Sequence, residues 1–593
     1  MFGDRYNFAS LVSERLTASL DRKVAIASLH VTPGRWLHAE LRDFRLDNLP
    51  GGSQPDMMTL PSASADIDAL SLLHGPVVLR TLRVSGLRLL LEHTANGAKN
   101  WKFGAAGQTA PPRGNGRADV PTLLDAELTG DVVFRTSEGN VLDTNLDQAQ
   151  IRTEAADQPV RVTASGSYNS NPVKLQADLA SLDVLRDAAT PYPADMHVTS
   201  GDTTLHFQGT LTDPLNADGA KGRLELDAPT AATLLAIAGQ SGDFDASLRL
   251  AGPFEHDGLL WHLTRASGAL NKDTITAADL KLVEGLHGKP DDVTVDLAFA
   301  RLDVDALLGG KKKGPAAGAD VPLSVDRAPD TLIAAKLSAR ELAYAGLGFT
   351  DVTFGGSVKP GLITVDVLSV GYLGAPFRAT GKIEAGPRDT GVVTADVDMN
   401  RMDVQALRKL LGFGDVPVLG QMDGRVSVEA AGATLNQAAR GARMSAVLAM
   451  NSGSISRRII ELAAIDARGI FRSKGEMTPI SCLIAVLDIR AGAGTISPIR
   501  IRSANGTITG RGSFDIYRHQ IDITVASDAR TTGLLALDVP VRISGSFESP
   551  AIRPASLSAA GRAQLLAGDD IGRLLPSLRP FARRSPCLNA GAG

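Results

Sequence analysis

Cysteine, aromatic residues, an excess of either charge and long apolar runs are all scarce in this chain, and each shortage removes a class of protein. Two cysteines in 593 residues, Cys482 and Cys587, exclude a disulfide framework and leave room for one bridge at most. A net charge of −4 provides no basic domain or stripe with which to grip phosphate backbones, so no nucleic-acid partner is expected. No run of 18 or more apolar residues occurs, which predicts no transmembrane helix in the chain as given. Residues 1–23 are polar and lack the basic and apolar regions of a signal peptide; taken alone, they describe an unexported protein. Aromatics are only 4%, so the interior must be built from Leu, Val, Ile and Ala.

The common chemical signatures are missing too. There is no HExxH, GxSxG, P-loop or CxxC pair. His256 and His262 are the closest-spaced histidines, but Asp257 and Gly258 interrupt any strand that would align them, and no metal ligand is assigned. Gly492 and Gly494 form a GxG without a third glycine or a following helix, which reads as a turn or bulge. Acidic residues occupy the wet positions of alternating segments, and no pair stands out as an acid/base couple. The chain is therefore expected to be non-catalytic, with no cofactor.

What the chain does contain is 60 glycines, a 44% hydrophobic fraction and a persistent period of two. Leu87, Leu89 and Leu91 alternate with polar residues, as do Leu224 and Leu226, Val293 and Val295, Ile499 and Ile501, and Ile521 and Ile523. Period two means strands with one apolar and one wet face, the antiparallel pattern. A second recurrence places glycine inside such strands, at Gly166, Gly209, Gly381, Gly512 and Gly545, predicting a bulge or bend at a set point. A third places Asp before a leucine-rich stretch, at Asp68, Asp303 and Asp403, as the N-cap of a short helix. Spacing between copies is irregular, so the repeats are degenerate.

Phe8, Val12, Leu16 and Leu20 predict an amphipathic helix near the start, and Leu565, Leu566, Ile571, Leu574 and Leu575 predict helices near the end. Helices there would cover the open edges of a sheet. Gly, Pro and Ala gather without periodicity at residues 104–121 and at 309–329, the latter with Lys311, Lys312 and Lys313, and both stretches read as linkers. The expected organisation is an N-terminal module at 1–103, a middle module at 122–308, a C-terminal module at 330–555, and terminal helices with a loose tail at 556–593. At about 11 to 13 residues per strand and turn the chain would hold roughly 40 strands, against about 10 in an ordinary open sheet. The predicted fold is mainly β: an elongated, curved antiparallel sheet forming an apolar groove, with short helices at both ends. The eleven apolar residues Leu87 to Ile523 named above are the candidate groove lining. Acyl chains would fit such a surface; two sheets packed face to face as sandwiches are the alternative.

Several segments arrive in the order of a known family: the N-terminal helix, Arg22 to Ile26, Leu41 to Asn48, Leu70 to Gly75, Leu82 to Leu87, Asn100-Trp101, and later Leu302 to Asp305, Gly381 to Ile383, Ile480 to Cys482, Gly506 to Phe514 and Pro576 to Cys587. They closely resemble the AsmA family of bacterial envelope proteins. The resemblance implies a protein on the periplasmic face of the inner membrane, membrane-associated, with phospholipid acyl chains as partner and a role in carrying phospholipid between inner and outer membrane. A scaffold for outer-membrane protein assembly, bound to an envelope protein partner, is the second reading. The membrane helix that the family places before the amphipathic segment is absent, and a truncated gene model is the expected explanation. In a periplasmic setting Cys482 and Cys587 can form one bridge; two buried thiols are the other reading.

Overall fold

Period-two alternation becomes strand at each segment singled out for it. In the computed structural model of the protein, Leu87, Leu89 and Leu91 lie in the strand Val78–Glu92, Leu224 and Leu226 in Asp218–Ala228, and Val293 and Val295 in Asp291–Asp303. Ile499 and Ile501 lie in Ala493–Ser503, and Ile521 and Ile523 in Gln520–Ser527. The structure describes residues 6–92, 99–101, 120–135, 141–216, 218–237, 245–285, 289–307, 320–410, 418–456, 477–504, 506–527, 540–566 and 570–589. They are mainly β, with antiparallel pairing predominant and short helices mostly toward the C-terminal end. They form 32 strands, fewer than the alternation suggests, because single strands reach 15 residues.

The chain divides into two compact units, residues 1–300 with 306–309 and residues 301–305 with 310–593, and not into three parts. The first expected break fails for a topological reason. Val78–Glu92 pairs in parallel with Asp125–Arg135, Leu82 opposite Ala126 and Leu91 opposite Phe134, so the sheet of unit 1 continues across residues 104–121. Gly97, residues 104–119, residues 309–319 and with them Lys311 to Lys313 lie outside the described residues. The rest of the second expected linker belongs to unit 2. Leu323 and Val325 are buried, Leu323 N–H donates to the Ala433 carbonyl at 2.9 Å, and the Asp320 carboxylate accepts from Asn436 N–H at 2.9 Å.

The strand glycines act differently from the expectation. At Gly166 the extra residue lies in the neighbouring strand Val141–Arg152, between Leu146 and Gln148. At Gly512 it lies in Ala493–Ser503, where Ile496 opposes Gly512 and Ile499 opposes Gly510, three residues matched to two. The bulge returns Ile496 and Ile499 to the same face, and the glycine makes room for the approaching backbone. A Cβ at Gly166 would run into the Asn145 carbonyl oxygen, and one at Gly512 into that of Asp522.

The N-terminal helix, Ala9–Leu20, ends at Asp21 in the left-handed conformation and packs Leu16 and Leu20 against Val24, Leu46 and Met57. The Asp403 carboxylate accepts from Ala406 N–H at 2.9 Å and caps the helix Val404–Leu410 as expected. Asp68 instead accepts from Leu70 N–H, two residues on, at 3.0 Å and opens only a turn, which leaves Leu70 and Leu73 72% exposed. The C-terminal helices, among them Ala559–Leu566, Arg579–Arg583 and Pro586–Asn589, depart from the expectation of edge covering. Leu574, Leu578, Ala582 and Cys587 pack on a face of the sheet, against Val447, Cys482, Ile484 and Val486. Ser585 and Cys587, expected in a loose tail, are buried there because the Cys482–Cys587 disulfide anchors them.

Candidate functional site

Residues directly opposite on paired strands share a face, so the registers trace what each face of a sheet presents. In unit 1 one such row runs Leu29, Leu41, Ala63, Val84, Leu128, Ala149, Ala164, Leu175, Val198, Leu205, Leu226 and Leu250. The row one residue away, on the opposite face, runs His30, Glu40, Ser64, Arg83, Glu127, Gln150, Thr163, Gln176, His197, His206 and Glu225. Each of the eleven strands from Leu29 to Leu226 contributes an apolar residue to the first and a polar one to the second; the twelfth, with Leu250, sets apolar Ala251 opposite Glu225. The apolar row is half-buried except for Leu250, which is buried. Neighbouring side chains of the same face shield one another there.

Unit 2 has the same kind of row: Leu337, Phe354, Leu368, Ala379, Val397, Val426, Ala446, Leu487, Ile496, Gly512, Ile523 and Ile543. Here much of the face is filled. Met402, Val404, Met450 and Ile455 are buried in a cluster to which Ala406 and Leu407 of the helix Val404–Leu410 contribute.

The candidate lining residues all map to these apolar faces, but in different surroundings. Leu224 and Leu226 lie half-buried in the open part of unit 1, Leu224 among Phe207, Met196 and Phe254. Val293 and Val295 oppose Leu282 and Leu280 and are half-buried. Leu87 faces Gly130, whereas Leu89 and Leu91 are packed with Leu16 and Leu20 of the N-terminal helix and with Trp101. Ile501 is buried in the unit 2 cluster, with Ile499 and Ile523 packed against it, and Ile521 opposes Phe514.

Polar chemistry near these faces is structural. Glu92 is buried where the strand Val78–Glu92 ends; it accepts from Asn48 Nδ2 and from Ser53 N–H at 3.0 Å. Asn100, fully buried, donates to Asn48 Oδ1 at 3.0 Å and to the Leu90 carbonyl at 2.8 Å, so Asn48, Glu92 and Asn100 form one knot. Burial pushes the Glu92 carboxyl up, but hydrogen bonds from Ser53 and Asn48, with Arg135 nearby, hold it below the usual glutamate value. A shallow cavity of about 1080 Å³ in unit 2 is lined by Asp488, Arg490, Asp515 and Asp522 among others. Its acids are engaged: Asp522 is held below the usual aspartate value by Arg542, and Asp488 lies 3.6 Å from Arg443.

Sequence reasoning missed two groupings. One is the burial of Met477–Arg490 on both faces, which its unbroken run Cys482 to Leu487 signals. The other is Asp195, His197 and His206, brought together across a hairpin. The two histidines are symmetric about the turn at Gly201 and Asp202, and that symmetry was the available clue.

No family model matches the chain, and no solved structure matches it. Among curated proteins, the AsmA family protein YhjG of Escherichia coli (strain K12) is 21% identical over 580 residues, covering 87% of this chain and 82% of the relative. The ordered segments of the sequence, the antiparallel β fold and this similarity along most of both chains support the resemblance to the AsmA family of envelope proteins.

Proposed function

We propose that the protein binds phospholipid by its acyl chains along the apolar faces and carries it between the inner and outer membranes, without catalysing a bond change. The observation that supports this reading is the half-buried apolar row of unit 1, Leu29 to Leu226, backed on every strand by a polar residue of the opposite face. An apolar surface of that extent in contact with water calls for a ligand or partner. Acyl chains suit it because they need no hydrogen bonds, and the polar face keeps the loaded protein in water. The Cys482–Cys587 disulfide fits residence in an oxidising compartment, which for this family means the periplasmic side of the inner membrane.

Native extraction followed by mass spectrometry of the full chain tests the proposal. Phospholipid should co-purify, and Leu205→Glu or Leu226→Glu should remove most of it while leaving the circular dichroism spectrum unchanged. Protein that is free of lipid in the wild-type form would reject the lipid reading. Retention of an envelope protein partner under those conditions would favour a scaffold, for which the exposed last strand Ala551–Pro554 offers an edge for strand addition.

A further inference from the structure

We infer that Asp195, His197 and His206 bind a divalent transition-metal ion, of the class represented by Zn2+, on the polar face of unit 1. His197 and His206 are directly opposed on the paired strands Tyr192–Ser200 and Thr203–Asp213. Their rings stack with centroids 3.9 Å apart and planes 15° from parallel. Asp195, two residues before His197, projects on the same face. Its Oδ1 lies 2.8 Å from His206 Nε2 and 3.5 Å from His197 Nδ1, and one donor atom from each of the three residues falls within 4.8 Å of the others. Ligand atoms about 2.0–2.2 Å from a tetrahedral ion stand roughly 3.3 Å from one another. The two Asp195 distances bracket that value.

The surroundings are those of a ligand set and not of a casual ion pair. The second oxygen of Asp195 accepts from Gln208 Nε2 at 3.1 Å, which turns Oδ1 toward the two rings. Glu225 Oε2 is 3.8 Å from His206 Nδ1, and Arg223 Nε holds the other Glu225 oxygen at 2.8 Å. A carboxylate beside the second ring nitrogen is the usual means of fixing the tautomer that leaves the first nitrogen free for a metal. Two imidazoles and one carboxylate select borderline ions such as Zn2+ over Mg2+ or Ca2+ and leave a fourth position for water. The His197 side chain is 56% exposed, so an ion reaches the site from solution. Bound there, it would clip the two strands of the hairpin on the face opposite the apolar row.

The test uses the full chain, stripped with chelator, titrated with ZnCl2 by calorimetry and melted with and without the ion. One Zn2+ per chain should bind at this site, and the melting temperature should rise with it. His197→Gln and His206→Ala should each weaken that binding at least ten-fold and abolish the thermal shift. His38→Ala should change neither, since it removes a histidine that sits with Asp66 and Glu40 elsewhere on the same face. Absence of binding in the wild-type chain, or binding that His197→Gln leaves intact, would overturn the assignment. Because His197 is exposed, its variant decides the matter even if His206→Ala does not fold.

Discussion

The strands Asp218–Ala228 in unit 1 and Met477–Arg490 in unit 2 are both paired antiparallel on both edges, yet their second faces meet different surroundings. In the first, Leu224 and Leu226 alternate with exposed Arg223, Glu225 and Asp227, and the polar face is left to water. In the second, Leu483 packs into the apolar-face cluster while Cys482, Ile484 and Val486 are covered by the C-terminal helices on the other side. Unit 1 therefore rests on a sheet whose apolar side chains shield one another, and unit 2 on a sheet clamped between two apolar layers and tied by a disulfide. Apolar surface covered by protein contributes about 25 cal/mol per Å² to folding, whereas surface left half-open retains its demand for a ligand. The contrast assigns stability mainly to unit 2 and, under the proposed function, capacity for cargo mainly to unit 1.

The largest effect should come from charging the doubly buried strand. Ile484→Asp, at a side chain with 0% exposure, should cost about 4 kcal/mol or more and abolish the unfolding transition of unit 2, while Leu226→Asp should cost less than half as much. Urea unfolding monitored by circular dichroism compares them, and equal losses would break the contrast. Next, Cys482→Ser with Cys587→Ser should lower the stability of unit 2 by about 2–5 kcal/mol, because the bridge closes a separation of 105 residues. Limited proteolysis should then release the C-terminal segment and leave unit 1 unaffected.

A smaller effect should separate the units by pH. The Glu92 carboxyl is held below its ordinary value of 4.5, so its contribution to unit 1 is present above that value and is lost as pH falls through the lower folded-state value. Urea midpoints of unit 1 should fall on acidification, and Glu92→Gln should flatten that dependence while costing about 1–3 kcal/mol at neutral pH. Gly166→Ala should cost about 1–3 kcal/mol by driving a Cβ into the Asn145 carbonyl. The smallest change belongs to the wet face. Arg161→Ala, which removes the partner of Asp178 at 3.0 Å with Arg161 74% exposed, should shift stability by no more than about 0.5 kcal/mol, as read from the same urea curves.

The strands and their apolar faces were legible because alternation is a local property. Leu224, Leu226, Val293 and Ile521 reveal their shared sidedness within a few residues of chain. The N-terminal helix and the cap at Asp403 were legible for the same reason. The bulges were displaced: glycine marks where space is needed, while the inserted residue sits on the partner strand, as between Leu146 and Gln148. Parallel pairing of Val78–Glu92 with Asp125–Arg135 had no local signature, because residues 104–121 carry the composition of a linker whether or not the sheet continues past them. The docking of Leu574, Leu578 and Ala582 on a face was equally hidden, since amphipathic helices look alike whichever apolar surface receives them.

By itself, then, the sequence determined that this protein is built of one-sided strands with a surplus of apolar surface, because side-chain period and backbone pleat are the same local fact. Only the tertiary structure decided which of that surface is covered and which is left open. That choice depends on strand register and on contacts between residues as far apart as Cys482 and Cys587, or Asn48 and Asn100. Distant pairings of this kind are set by the packing of the whole unit and have no counterpart in local spacing.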